Sequence, residues 1–201
     1  PSRGLGDVYK RQVYAQSKKD QEEYSLIVGK AYNIPTVAMR YFNVYGPRQS
    51  LSNPYTGVAA IFSSRIKNGQ PPLIYEDGHQ RRDFVHVSDI VAAKVLAMET
   101  PEIRDIALNV GTGRPTSVRQ IAEALIELYG ASVRPMIVGK YRSGDIRDCY
   151  ANAEKLYSFG YRPKMDLKTG LADLVAWAEE QEANDDVERA HNELVSRGLV
   201  A

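Results

Sequence analysis

Apolar residues recur along the chain with two spacings, one typical of amphipathic helices and one typical of short buried strands. Residues 13–31 (VYAQSKKDQEEYSLIVGKA) carry tyrosine and aliphatic side chains at helical spacing among polar ones, and Asn33 with Pro35 ends that pattern. Residues 35–40 (PTVAMR) are short, apolar and partly β-branched, which predicts a buried strand. A helix followed by a strand begins an α/β alternation.

The rest of the chain continues the alternation after a breaker-rich loop at 41–57, which is long enough to suggest a function. Such an alternation predicts a mostly parallel sheet with helices on both faces, and ligands of these sheets bind beyond the carboxyl ends of the strands. We therefore expect a site in the segments after Arg40 and Val87. The predicted helices are 58–68, 89–99 (N-cap Ser88), 117–129 (N-cap Thr116 or Ser117), 152–159, 167–182 and 185–197 (ended by Gly198), and the strands are 73–76, 83–87 and 106–110.

Composition and charge describe an ordinary globular chain and exclude several classes. Of 201 residues, 43% are hydrophobic and 25% charged, which excludes a disordered, collagen-like or disulfide-rich protein. Lys and Arg number 26 against 25 Asp and Glu, so no bulk charge favours nucleic acid or an anionic membrane. Cys149 is the single cysteine, which allows no internal disulfide or cysteine-based metal site and indicates the cytoplasm. No apolar run approaches a membrane span.

The glycine-rich fingerprint of dinucleotide-binding folds is absent from the sequence. The Gly-x-Gly at 111–113 continues with Thr116 where a third glycine would fall. Residues 1–12 (PSRGLGDVYKRQ) have no apolar periodicity and do not lead into the first helix as a strand and turn would. We interpret them as a foreign or artefactual segment, with the upstream half of the domain missing.

Tyr14 and Lys18 are four residues apart on the first predicted helix, so they share one face with their stems about 5–6 Å apart. Lowering a phenol pKa from near 10 to about 7 requires roughly 4 kcal/mol of preferential stabilisation of the phenolate. A nearby ammonium and a cationic ligand ring in a partly dry site would supply much of it. The same spacing also describes an exposed pair without chemistry.

Five motifs in order resemble the extended short-chain dehydrogenase/reductase family, and more narrowly its nucleotide-sugar epimerases and dehydratases. They are YAQSK (14–18), RYFNVYGPRQ (40–49), RDFVHV (82–87) with Asp89, NVGTG (109–113) and RSGD (142–145). The resemblance covers about residues 13–182. It implies the C-terminal part of a Rossmann-type doubly wound α/β sheet plus a smaller substrate-binding domain.

The resemblance also implies a division of the chain. Residues 13–56 would end the dinucleotide-binding domain, 57–182 would form mainly the nucleotide-sugar region with returning Rossmann elements, and 183–201 would form a C-terminal helix. Family members often dimerise through a helix bundle that includes the tyrosine helix, so a homodimer is expected. No metal is expected.

Site roles follow from the same resemblance. Tyr14 would be the acid/base group, Lys18 would hold the nicotinamide ribose of NAD and depress the tyrosine pKa, and the main chain at Phe42 would border the nicotinamide. Asn43, Arg82 and Arg142 would contact the substrate diphosphate, Asp145 the nucleotide ribose and Tyr75 the base. Without the resemblance, Asn43 and Asp145 would also be explained as turn residues, and Arg82 and Arg142 as solvated surface residues. His86, in alternation with Val85 and Val87, is interpreted as structural.

The implied activity is NAD-dependent epimerisation at C4 of a UDP- or dTDP-sugar, through a 4-keto sugar that takes the hydride back on its other face. Residues 40–69, the YEDG turn and the tail at 185–198 are most similar to dTDP-L-rhamnose 4-epimerases, followed by UDP-glucose 4-epimerases. Because the glycine-rich turn and an orienting Ser or Thr are absent, we expect a truncated, inactive fragment. One alternative is a dehydratase of the same family. Another is a non-catalytic dinucleotide-binding sensor, against which the intact Tyr14 and Lys18 argue.

Overall fold

The fold is known from a computed structural model that describes residues 13–53, 56–140 and 146–183, together with 188, 192, 195 and 196. The helices are α1 (Val13–Ala31), α2 (Val58–Lys67), α3 (Val87–Glu99), α4 (Val118–Tyr129), α5 (Glu154–Ser158) and α6 (Leu167–Glu179). The strands are β1 (Val37–Tyr41), β2 (Asn43–Tyr45), β3 (Leu73–Ile74), β4 (Arg81–His86), β5 (Ile106–Val110), β6 (Pro115–Ser117), β7 (Met136–Ile137) and β8 (Asp148–Cys149). Among the described helices, none combines the length and the apolar composition needed to cross a bilayer.

Most strand pairs are parallel, and the chain changes sheets at Phe42. β1 pairs in parallel with β5, and after Phe42 the chain enters β2, which pairs in parallel with β4. β4 also pairs in parallel with β8 and antiparallel with β6, while β3 and β7 form a separate parallel pair. The predicted α/β class with a mainly parallel arrangement is confirmed.

β4 lies between the two main apolar cores. Its neighbours Phe84 and Val85 belong to different cores because successive side chains of a strand leave opposite faces. One core joins α2, α4 and α6, and the other joins α3, β5 and α5. Representative members are Phe62, Ile121, Leu125 and Leu174 in the first core, and Ile90, Leu108, Val110 and Leu156 in the second.

Two helix starts test the predicted caps. Ser117 caps α4 as predicted and forms a capping box in which Gln120 Oε1 accepts from the Ser117 amide. The predicted cap at Ser88 is wrong: the cap of α3 is His86, whose Nδ1 accepts from the Ser88 amide at 3.3 Å. Because a buried imidazole nitrogen serves as acceptor, the helix begins at Val87, and the interpretation of His86 as structural agrees with this contact.

Other differences reflect pairing at long range. The predicted loop 41–57 contains β2, which is short and is stabilised as a strand by its pairing with β4. The strands β6, β7 and β8 were not expected, and the predicted helix 152–159 is shorter, at Glu154–Ser158. Of the predicted helix 185–197, residues 188, 192, 195 and 196 are helical and the rest lies outside the described residues. The division into domains stays a prediction.

Lys67 of α2 caps the C-terminal end of α6. Its Nζ donates to the carbonyl oxygens of Ala178 at 2.7 Å and Glu179 at 3.0 Å, and also to that of Gln181. The last carbonyls of a helix lack intrahelical partners, and a cation there is favourable. We expect Lys67→Met to lower the free energy of unfolding by about 1–2 kcal/mol.

Urea denaturation followed by circular dichroism measures this loss. The matched control is Lys94→Met on α3, since both lysines are exposed on helices. We expect the control to change stability by less than about 0.5 kcal/mol. Equal losses in the two variants would contradict the capping role.

Candidate functional site

Helix α1 runs antiparallel to β1, as two contacts show. Near the C-terminal end of α1, Gly29 lies so close to Thr36 that an added Cβ would come within 2.1 Å of the threonine Oγ1. Seven residues earlier, the Glu22 carboxylate accepts two hydrogen bonds of 2.6 Å from the Arg40 guanidinium. Those bonds lower the pKa of Glu22. Moving back along α1 therefore corresponds to moving forward along β1.

This direction places Tyr14 and Lys18 beyond the carboxyl end of β1. Tyr14 lies eight residues before Glu22, which is about 12 Å further along the helix axis. The Nζ of Lys18 is 5.7 Å from the centroid of the Tyr14 ring, and the tyrosine is 69% exposed. The two predicted side chains are thus brought together on an accessible face, at the end of β1 where a ligand is expected.

Phe42 and Asn43 lie at the same end, directly after β1. Both are half-buried, and Asn43 pairs in register with Phe84 of β4. Arg82 precedes Phe84 by two residues on the same strand. Asn43 and Arg82 therefore lie at the start of the β2–β4 pair, close to the point where the chain leaves β1.

The guanidinium of Arg82 is held by main-chain oxygens. Its Nη1 donates to the carbonyl oxygen of Arg81 at 2.9 Å and to that of Arg147 at 3.0 Å. The neighbouring Arg81 forms a two-bond pair with Asp148, at 2.8 and 2.9 Å. These contacts orient Arg82 on a half-buried part of the surface.

Tyr75 begins the turn between β3 and β4. It is half-buried, and its carbonyl oxygen accepts from the buried Gln80 Nε2 at 3.0 Å. Arg142 and Asp145 lie outside the described residues. The segment that contains them is flanked by Lys140, whose carbonyl accepts from the Glu76 amide at 2.8 Å, and by Arg147. Both described flanks thus lie beside the Tyr75 turn.

The carboxyl end of β4, the second expected location, is filled by packed side chains. His86 lies edge-on to Tyr45 with ring centroids 5.4 Å apart, and its Nε2 is 3.2 Å from Asp173 Oδ2 without the alignment of a hydrogen bond. Burial raises the pKa of Tyr45. None of the described site residues lies at this end. Tyr14, Lys18, Phe42, Asn43 and Arg82 lie near the carboxyl end of β1, and Tyr75 lies in the turn before β4.

Asp83 was missed as a key residue by sequence reasoning. It is fully buried, and its carboxylate accepts from the Thr112 amide and hydroxyl and from the amides of Gly113 and Ala151, at 2.6 to 3.1 Å. A Cβ on Gly111 would lie 2.6 Å from Asp83 Oδ2. The signal was a carboxylate directly before the apolar pair Phe84 and Val85 in a strand. Asp83 joins β4 to the turn after β5 and to the segment after β8.

No cluster of three or more His, Cys, Asp or Glu side chains suited to a metal ion occurs among the residues that the structure describes. The polar groups at the carboxyl end of β1 are instead a phenol, an ammonium, an amide and a guanidinium. Such a set can exchange a proton and bind an oxyanion.

Comparisons with known proteins identify relatives of this chain. Residues 2–111 match the model of the NAD dependent epimerase/dehydratase family. The chain is 35% identical over 164 residues to a putative UDP-glucose 4-epimerase of Methanocaldococcus jannaschii, covering 82% of the chain and 52% of that relative. It is also 35% identical over 167 residues to dTDP-L-rhamnose 4-epimerase of Burkholderia thailandensis, covering 82% of the chain and 46% of that relative.

A solved structure gives the same result. UDP-glucose 4-epimerase of Thermotoga maritima, in complex with UDP-glucose, superposes with a TM-score of 0.76 at 36% identity, covering 83% of this chain and 53% of that one. The predicted Rossmann-type α/β fold is thereby confirmed. The chain spans about half the length of each of these relatives.

Proposed function

The chain belongs to the NAD dependent epimerase/dehydratase family, and we propose that it provides the acid/base pair and the substrate-binding part of a nucleoside-diphosphate-sugar 4-epimerase. The observation that carries this proposal is the placement of Tyr14 and Lys18 beyond the carboxyl end of β1, where Asn43 and Arg82 also lie. The names of the two relatives favour epimerisation over the elimination that dehydratases perform. A homodimer and a cytoplasmic location remain predictions.

NAD is the proposed cofactor, and the residues present fit its nicotinamide end. The Lys18 ammonium and the Tyr14 phenol lie side by side on an accessible face and can donate to ribose hydroxyls. Phe42 offers main-chain groups directly after β1. The 201 residues contain no Gly-x-Gly-x-x-Gly turn for the pyrophosphate. We therefore propose that these residues alone show no epimerase turnover.

In the proposed reaction Tyr14 acts as base and then as acid. Its phenolate oxygen takes the proton of the sugar 4-hydroxyl and later returns it to the oxygen of the 4-keto sugar. NAD, when bound, supplies the hydride acceptor and donor. The Lys18 ammonium lies one helical turn away, 5.7 Å from the centroid of the Tyr14 ring. Tyr14 then serves both directions of the reaction.

The proposed substrate class is based on the guanidinium of Arg82 and the amide of Asn43. A diphosphate presents several anionic oxygens, which a guanidinium binds through paired hydrogen bonds and an amide through a single one. Arg82 and Asn43 supply these groups near the start of β2 and β4. A UDP- or dTDP-sugar is the proposed substrate, with Arg142 as a further diphosphate ligand, Asp145 on the ribose and Tyr75 against the base.

Nucleotide binding by the 201-residue chain tests the substrate side of this proposal. We expect isothermal titration calorimetry to detect UDP binding and Arg82→Ala to weaken it by about 10- to 100-fold, the scale for losing a charge-assisted contact. The matched control is Arg104→Ala. Arg104 pairs with Asp105 just before β5, which runs parallel to β1, so it lies at the amino end of these strands and away from the proposed site. Absence of UDP binding, or equal weakening by both variants, would refute the assignment.

A further inference from the structure

Arg147 is a charged side chain outside the five sequence motifs, and it cross-links two segments of the candidate site. Its Nη1 donates to Glu76 Oε2 and to Asp77 Oδ1, and its Nη2 donates to Asp77 Oδ2, each at 2.8 Å. These bonds lower the pKa of Asp77. These side-chain bonds attach the turn between β3 and β4 to the segment just before β8, which the strand pairs of β4 alone would not do.

The main chain of the same residue holds the substrate-side arginine. The Arg147 carbonyl oxygen accepts from the Arg81 amide at 2.9 Å and from Arg82 Nη1 at 3.0 Å. The side chain of Arg147 thus donates hydrogen bonds to the Glu76–Asp77 turn, while its carbonyl oxygen accepts one from the guanidinium of Arg82. Any shift of Arg147 away from the turn would move an acceptor of Arg82.

The turn itself needs an external constraint. Glu76 adopts a positive φ of 54°, a conformation that side-chain-bearing residues rarely adopt. Asp77 Oδ1 also accepts from the His79 amide at 2.9 Å, so the carboxylate is fixed on two sides. A turn with unfavourable backbone geometry persists only when its surroundings hold it, and the Arg147 bonds do so.

We propose that Arg147 is a positioning residue, which acts through its bonds to Glu76 and Asp77 to hold the Arg82 guanidinium in the orientation that binds the substrate diphosphate. This inference rests on the proposed function. An arginine side chain loses rotamer freedom when it binds a ligand, so a guanidinium oriented in advance binds more tightly than a free one. Arg147 is 49% exposed, and ion pairs at such positions contribute little to stability. The effect should therefore appear in affinity rather than in folding.

Two variants separate positioning from simple charge attraction. Arg147→Ala removes a positive charge and Asp77→Asn removes a negative one, so attraction alone predicts weaker UDP binding in the first and tighter binding in the second. Positioning predicts weaker binding in both, by about 5- to 10-fold. Arg147→Lys keeps the charge but cannot make paired bonds, so it should bind UDP as weakly as Arg147→Ala.

A double-mutant cycle with Arg82→Ala completes the test, using UDP and uridine as probes in calorimetry. In the Arg82→Ala background, Arg147→Ala should not weaken UDP binding further, and uridine affinity should not change in any Arg147 variant. The control is again Arg104→Ala, whose side chain is 51% exposed and also ion-paired. Thermal denaturation of each variant verifies folding. If Arg147→Ala does not fold, Asp77→Asn replaces it in the double-mutant cycle, because it weakens the same bonds.

The outcomes distinguish the two proposals. If the wild-type chain does not bind UDP, the proposed function fails and this inference fails with it. If UDP binds and Arg82→Ala weakens it, but the losses in the cycle are additive, only the positioning role is overturned. Rescue by Arg147→Lys, or tighter binding by Asp77→Asn, would overturn it in the same way.

Discussion

Tyr14→Phe is expected to lower epimerase turnover by about 10²- to 10⁴-fold, the usual contribution of a positioned acid/base group. The protein to use joins this chain to a segment with the Gly-x-Gly-x-x-Gly turn that the 201 residues lack. Phenylalanine keeps the ring beside Lys18 but has no phenolate oxygen to accept the proton of the sugar 4-hydroxyl. The affinity for UDP should stay within about twofold, because the phenol does not bind the diphosphate.

The matched control for this prediction is Tyr24→Phe. Both tyrosines are on α1 and both are 69% exposed, but Tyr24 lies ten residues further along the helix, about 15 Å from the proposed site. Steady-state turnover of UDP-glucose with the two variants provides the comparison. Near-normal turnover in Tyr14→Phe would remove it as the acid/base group, and equal losses in both would indicate a general defect of the helix.

Asp83→Ala is expected to lower the free energy of unfolding by about 3–5 kcal/mol. The substitution removes the acceptor of three main-chain amides and one hydroxyl, and alanine offers those donors nothing in return. Asp83 joins β4, the turn after β5 and the segment after β8, and it is the neighbour of Arg82 in the sequence. Nucleotide affinity should therefore fall as well. Urea denaturation followed by circular dichroism measures the stability.

Two variants bracket the Asp83 result. Thr112→Val removes the 2.6 Å hydroxyl contact to Asp83 and the 3.1 Å bond that the same hydroxyl accepts from the exposed Arg114 amide, and it should lower the stability by about 1 kcal/mol. Asp148→Ala removes a carboxylate paired with Arg81 on the exposed side of β8, and it should change stability by less than about 1 kcal/mol. A loss in Asp83→Ala no larger than that in Asp148→Ala would contradict the role of the buried carboxylate.

The sequence-based interpretation was most accurate where the determining contacts are local. The helix at 13–31 and the cap at Ser117 depend on side chains three or four residues apart, and the structure has both. The Tyr14–Lys18 proximity has the same origin. The cap at Ser88 was wrong because a serine is the usual candidate, whereas the acceptor is an imidazole that its burial in the core holds in place.

Residues far apart in sequence were harder to predict. β2 is only three residues long, and its strand conformation depends on pairing with β4, some forty residues later. Asp83 belongs to a recognised motif, but its partners Thr112 and Ala151 are 29 and 68 positions away. Arg147 meets Glu76 across 71 positions, and neither residue has a pattern around it that indicates the contact.

The sequence by itself determined the main helices, the α/β class and the face that Tyr14 shares with Lys18, because backbone propensity, capping and helical spacing act over a few residues. Only the tertiary structure decided which end of β1 that face approaches, through Gly29 against Thr36 and Glu22 on Arg40. It also decided that the Arg82 guanidinium donates a hydrogen bond to the Arg147 carbonyl oxygen. Such contacts depend on how distant segments pack, which no local pattern specifies.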